Sequence, residues 1–147
     1  MIARYRDGEL RVAPDDEGEL AAAARTVSED VPAALDRFDI TGALETIWDY
    51  VRRLNRYVEQ NKPWELAKDP EREADLDRAL FELADGLRLS AVALSPYLPE
   101  TAASILAALG QSTDVAWERV AYGQTAAASG IEAAPPLFPR IDAPAVA

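Results

Sequence analysis

Asn55, Arg56, Asn61 and Trp64 fall within ten residues of one another, and Pro63 stands directly before the tryptophan. Unpaired nucleobases are bound by this set of side chains. Aromatic rings and guanidinium planes stack on the base faces, and amides hydrogen-bond the base edges. A proline ends or redirects a helix, so the ring of Trp64 is placed by a turn. The plainer reading of the same residues is a Pro-Trp turn that caps a core, beside a solvated helix end.

The surroundings of this run narrow its chemistry. The 147-residue chain carries 26 acidic and 15 basic side chains, a formal net charge of −11. Residues 39–68 are balanced, with Arg52, Arg53, Arg56, Lys62 and Lys68 against Asp39, Glu45, Asp49, Glu59 and Glu65. Non-specific nucleic-acid binding is driven by counterion release and needs a broad basic surface, which this sequence lacks. A small basic island in an acidic field suits a local contact with one short piece of nucleic acid.

Other classes of chemistry find little support. Without histidine or cysteine there is no imidazole base, disulfide or thiolate metal site. No glycine-rich phosphate loop or nucleophile elbow is present. Asp69, Glu71, Glu73, Asp75 and Asp77 lack the glycine and spacing of a calcium loop, and as a helix start they complement the helix dipole. No stretch reaches the roughly 18 apolar residues of a membrane span, and the first residues lack the apolar core of a signal peptide. A soluble, cytoplasmic protein with no active site of its own is expected.

Helices must position the run. Leu20, Ala23, Ala24, Val27, Val31, Ala34 and Leu35 predict a helix over about 16–37, bent or split near Pro32. A second is expected over 40–61, with Leu44, Ile47, Trp48, Val51, Leu54 and Val58 on one stripe. That stripe makes Trp48 a core residue and puts Asn55 near its middle, where a buried amide needs partners or must face a groove. Asp49 precedes Arg53 by four residues, the favourable order for a surface pair. Asp69-Pro70-Glu71 starts a third helix over 70–94, with Leu76, Leu80, Leu83, Leu87, Ala91 and Leu94 as its stripe. A fourth is expected over 99–109, ended by Gly110.

Residues 1–14 read as a loop. Residues 111–147 read as a connecting segment whose Trp117 and Tyr122 dock on the helices. Leu137-Phe138-Pro139-Arg140-Ile141 reads as a short extended anchor. The expected fold is all-α: an antiparallel helical bundle over 1–110, with 111–147 packed on it.

Four runs share a pattern with a known family: Ala43-Leu44-Glu45-Thr46-Ile47-Trp48, Asn55-Arg56-Tyr57-Val58, Pro63-Trp64-Glu65-Leu66-Ala67-Lys68, and Leu94-Ser95-Pro96-Tyr97-Leu98-Pro99-Glu100-Thr101-Ala102. From about Phe38 to Gly110 the chain resembles the anticodon-binding helical domain of bacterial methionyl-tRNA synthetase. The isoleucyl, valyl and leucyl enzymes share the fold and weaker forms of the pattern. Met1-Ile2-Ala3-Arg4-Tyr5 and Leu137 to Ile141 look like the family's runs at the two ends of this domain.

The resemblance implies that Trp64 packs against an anticodon base, with Pro63 setting its turn and Asn55 and Arg56 in support. It implies tRNA as a partner, bound weakly in isolation, and the catalytic domain of the same enzyme as another. ATP and methionine would bind that domain, so no cofactor or catalytic activity is expected here. The family's other anticodon contacts, an Asn and an Arg one turn apart, precede the run matched at Met1. The resemblance therefore implies a detached or truncated domain with half a site. The alternative is a structural or protein-interaction bundle that no longer binds tRNA.

Overall fold

The computed structural model describes residues 1–12 and 18–138. The elements are α1 (Ile2–Tyr5), α2 (Ala21–Asp36), α3 (Ile40–Asn61), α4 (Pro63–Leu66), a 3-10 turn (Pro70–Arg72), α5 (Glu73–Leu94), α6 (Pro99–Ala108) and a second 3-10 turn (Trp117–Arg119). Among the described residues, extended pairing is limited to an isolated antiparallel bridge between Leu10 and Ala128. The all-α bundle expected from the periodicity is the fold observed.

Helix α5 is the centre. Fifteen of its 22 residues are buried, too many for a helix with one core-facing stripe. Small residues admit its neighbours closely. A Cβ on Gly86 would sit 2.2 Å from Cδ2 of Leu54, so this glycine leaves the room that the Leu54 side chain of α3 fills. Helices α3, α4 and α6 all pack on α5, and α2 packs chiefly on α3. Leu87, expected in the core, is instead exposed, at the one side of α5 its neighbours leave open.

The helix ends follow local chemistry. Asp39 caps α3 by accepting the Gly42 N–H at 2.8 Å, and Asp69 accepts the Glu71 N–H at 3.0 Å. Gly110 takes φ +64° just after α6, where a left-handed residue closes the helix. Pro32 sits inside α2 without splitting it. The predicted start at 16 falls outside the described residues, and the observed helix begins at Ala21. Two single-turn helices, α1 and α4, are too short to leave a periodic signature.

Buried charge ties the C-terminal segment to this centre. Asp85 and Arg88 are fully buried and paired at 2.9 Å. Arg88 also donates to the Arg119 and Ala121 carbonyls at 2.6 Å each. Asp85 accepts from the Gly123 and Thr125 N–H groups at 2.7 and 3.0 Å, and from the Thr125 hydroxyl at 2.7 Å. Gln111 adds a second clasp, with its side chain pairing both backbone groups of Ala126 at 2.9 Å. Trp117 and Tyr122 pack half-buried on the main core, as expected. Leu137 and Phe138 are 45% and 71% exposed, which corrects the expected anchor; the rest of that run, from Pro139, is outside the described residues.

The acids at the start of α5 have a use beyond the helix dipole. Arg6 pairs with Asp77 and Glu73, and Arg11 reaches both acids at 3.1 Å. The N-terminal segment is held on α5 by these contacts. At Asp49 the observed partner is Arg52, three residues on, and the expected Arg53 pair does not form.

Two outcomes follow. Removing Arg88 by Arg88→Ala leaves Asp85 charged, buried and unpaired, and is expected to cost about 3–5 kcal/mol in urea unfolding. Burial, with the nearby Asp85 charge adding to it, raises the Tyr50 phenol above its ordinary value of 10.0. The folded state therefore holds the proton that the unfolded chain releases. This contribution is complete below about pH 10 and is lost as the pH rises further. Thermal melts should show Tm falling above pH 10; the buried Tyr50 hydroxyl has no hydrogen-bond partner among the described residues, and Tyr50→Phe should flatten that fall.

Candidate nucleic-acid interface

The candidate corner is built at the end of α3. Ala43, Ile47, Tyr50, Leu54 and Tyr57 are the buried residues of this helix. Their mean direction is rotated by about 70° from the stripe read off the aliphatic residues and tryptophan, at 100° per residue. Tyr50 and Tyr57, amphipathic rings that the aliphatic pattern passes over, turn the helix. The rotation corrects two expectations. Trp48 is 46% exposed and is not a core residue. Asn55 is exposed, so its amide needs no buried partner and is available at the surface.

Arg56 is exposed beside Asn55 and makes no ion pair with any described residue. Both side chains point outward because the positions around them, Leu54 and Tyr57, point in. Arg52 is held by Asp49. The outer side of α3 thus carries an aromatic ring, an amide and a free guanidinium, with Ile40 also 56% exposed.

One residue separates the end of α3 from the start of α4. Lys62 has φ 44° and ψ 65°, the left-handed conformation. Its N–H donates to the Val58 carbonyl at 2.9 Å, which closes α3. Its own carbonyl accepts from Glu65 at 2.8 Å and Leu66 at 3.2 Å, which opens α4. Asn61 is half-buried and donates from its side chain to the Tyr57 carbonyl at 3.1 Å. Pro63 and Leu66 are buried, and Trp64 between them is half-buried, with part of its ring open to solvent.

The structure therefore gathers Pro63 and Trp64 into one hydrogen-bonded turn and leaves Asn55 and Arg56 on the outer side of the preceding helix, about two turns back. Asn61 and Lys62 join the corner as its backbone clasp. The amide of Asn61 was legible as a polar residue, but nothing in the sequence marks the left-handed lysine. A mainly apolar cleft lies elsewhere. It holds about 350 Å³ and is lined by Ile2, Leu80, Leu83, Leu87, Leu109 and Ile131 among others. Recognition at the Trp64 corner would be by an exposed face, as stacking on a ring requires.

Residues 12–144 match the family described as the anticodon binding domain of methionyl tRNA ligase. The methionine–tRNA ligase of Clostridium acetobutylicum is 36% identical over 146 residues, covering 97% of this chain and 22% of that protein. The Deinococcus radiodurans ligase is 36% identical over 143 residues, covering 95% of this chain and 21% of its own. The chain spans about a fifth of the length of these curated relatives. Among solved structures, the free methionyl-tRNA synthetase of Mycobacterium tuberculosis superposes with a TM-score of 0.77 at 28% identity, over 98% of this chain and 30% of that one.

The exposure pattern has a direct check. Asn55→Ala and Arg56→Ala are expected to change unfolding free energy by less than about 0.5 kcal/mol, as surface substitutions do. Leu54→Ala, one residue before Asn55, is expected to cost about 2–5 kcal/mol as a core truncation. In urea titrations Asn55→Ala decides between the observed rotation and the aliphatic stripe, with Leu54→Ala, buried on both readings, as the core control.

Proposed function

The chain belongs to the family of methionyl-tRNA ligase anticodon-binding domains, and we propose from that premise that it selects tRNA by its anticodon through the Trp64 corner. The observation that carries this reading is the half-buried Trp64 on a turn fixed by Lys62 and Pro63. A ring held in one place stacks on an unpaired base without losing much freedom on binding. Arg56 offers a guanidinium plane and Asn55 a donor and an acceptor for a base edge. Pro63 acts through the backbone and touches no ligand.

On this reading the chain supplies selection and no chemistry. ATP and methionine bind the catalytic domain of the ligase, which is the chain's protein partner. That ligase attaches methionine to tRNA for protein synthesis in the cytoplasm. Among the described residues no helix is long and apolar enough to cross a membrane. The net charge of −11 opposes the approach of a polyanion, so binding by the separate chain is weak and depends on the Trp64 contact.

The test is a titration of the chain, at low salt, with the anticodon stem–loop of a methionine tRNA. Trp64→Ala is expected to weaken binding roughly tenfold, the loss of one base–ring stack. A stem–loop with a different anticodon should bind more weakly than the methionine sequence. Equal affinity of Trp64→Ala and the parent would remove Trp64 from the site. An absence of binding to every stem–loop would favour a bundle that no longer contacts tRNA.

A further inference from the structure

We propose that Lys62 is a positioning residue for Trp64, and that it acts through its left-handed backbone and not through its charge. The proposal rests on the reading of Trp64 as the base-stacking ring.

The backbone of Lys62 is disfavoured twice. Its φ of 44° lies in the region that L side chains seldom adopt. It also precedes Pro63, whose ring restricts the residue before it toward extended conformations. Asp7 and Phe38 are the other described non-glycine residues with positive φ, and neither precedes a proline. A conformation so disfavoured persists when its surroundings determine it, and such residues cluster where geometry is used.

The surroundings of Lys62 do determine it. Its N–H and its carbonyl are both engaged, one closing α3 and the other opening α4. Buried residues stand on either side, with Tyr57 before it and Pro63 and Leu66 after it. A right-handed conformation at residue 62 would drive its backbone into the proline ring. An extended one would carry Pro63 and Leu66 away from α5. The left-handed turn is the conformer that buries both anchors, and it delivers Trp64 two residues later at a fixed place.

The lysine side chain makes no hydrogen bond or ion pair with a described residue. It is exposed and pairs with no acid among the described residues. A glycine would fit the same φ more easily, but it would also leave the joint free to sample other conformations. A non-glycine residue held in this region by its neighbours gives a stiffer joint between the two helices.

Three uncharged replacements separate backbone from charge, because each removes the same ammonium group. Lys62→Asn tolerates the left-handed region, Lys62→Gly permits it among others, and Lys62→Val excludes it by branching at Cβ. Each is made in the full chain with Trp48→Phe and Trp117→Phe, so that Trp64 alone reports. The readouts are the emission maximum and time-resolved anisotropy of Trp64, and affinity for the methionine anticodon stem–loop.

Lys62→Asn should keep the emission and slow ring motion of the parent. Lys62→Gly should show faster local motion with the emission little changed. Lys62→Val should show red-shifted emission and an affinity about tenfold below Lys62→Asn, as though the stack were lost. If Lys62→Val does not fold, the contrast between Lys62→Asn and Lys62→Gly in anisotropy carries the test.

Identical spectra, anisotropy and affinity in the variants that fold would overturn the proposal and leave Lys62 with at most a charge effect. That result is distinct from failure of the tRNA reading, in which Trp64→Ala would bind no more weakly than the parent. In that case the spectra and anisotropy still decide whether Lys62 fixes the ring.

Discussion

A carboxylate and a guanidinium with no solvent exposure sit in the middle of the central helix, and the rest of the molecule is arranged around meeting their needs. Two charges taken from water are tolerated only when their geometry is good and their remaining hydrogen-bonding capacity is filled. Asp85 and Arg88 fill theirs from the backbone of residues 119–125 and the hydroxyl of Thr125. The C-terminal segment is therefore required at that side of α5. Gly86, between the two charged residues, admits Leu54 of α3 at close range. Leu66 of α4 is buried against the same assembly. Through these contacts α5 holds both sides of the Lys62 joint, although no residue of α5 belongs to the candidate site.

Much of this fold was readable from the chain because it rests on local rules. The bounds of α3, the cap at Asp69 and the glycine after α6 all follow from the chemistry of helix ends, which neighbouring residues settle among themselves. What was not readable depends on partners distant in sequence. The burial of α5 on nearly all sides reflects the number of elements surrounding it, and period alone does not report that number. Asp85 and Arg88 stand three residues apart, the spacing of any helix pair, and nothing local marks them as buried. Their role appears only once residues 119–125 return from more than 30 positions away.

The candidate site divides along the same line. Trp64 and Pro63 stand out in sequence because a proline acts on its immediate neighbours, and they occupy the turn expected of them. Asn55 was misplaced by a stripe that counted aliphatic residues and Trp48 but passed over Tyr50 and Tyr57. A tyrosine ring buries as much apolar area as the aliphatic side chains around it, and its hydroxyl does not prevent that. The two tyrosines join Ala43, Ile47 and Leu54 on a buried face turned away from Asn55, which lies at the surface next to Arg56. Lys62 lay outside the reach of sequence reasoning, because the usual marker of a left-handed helix end is glycine or asparagine.

The charge of the chain bears on how such a corner could work. An acidic protein gains little from the counterion release that drives general binding to RNA, and the balanced stretch from 39 to 68 offers few free cations. A contact made this way would owe its strength to stacking and to hydrogen bonds on one or two bases. Those interactions depend on the position and angle of the ring, whereas phosphate contacts are tolerant of both. Selectivity then depends on how firmly the ring is held. For a ring at the junction of two helices, that firmness comes from the single residue joining them. An unfavourable backbone conformation at Lys62, fixed by buried anchors on both sides, is consistent with recognition that relies on placement more than on attraction.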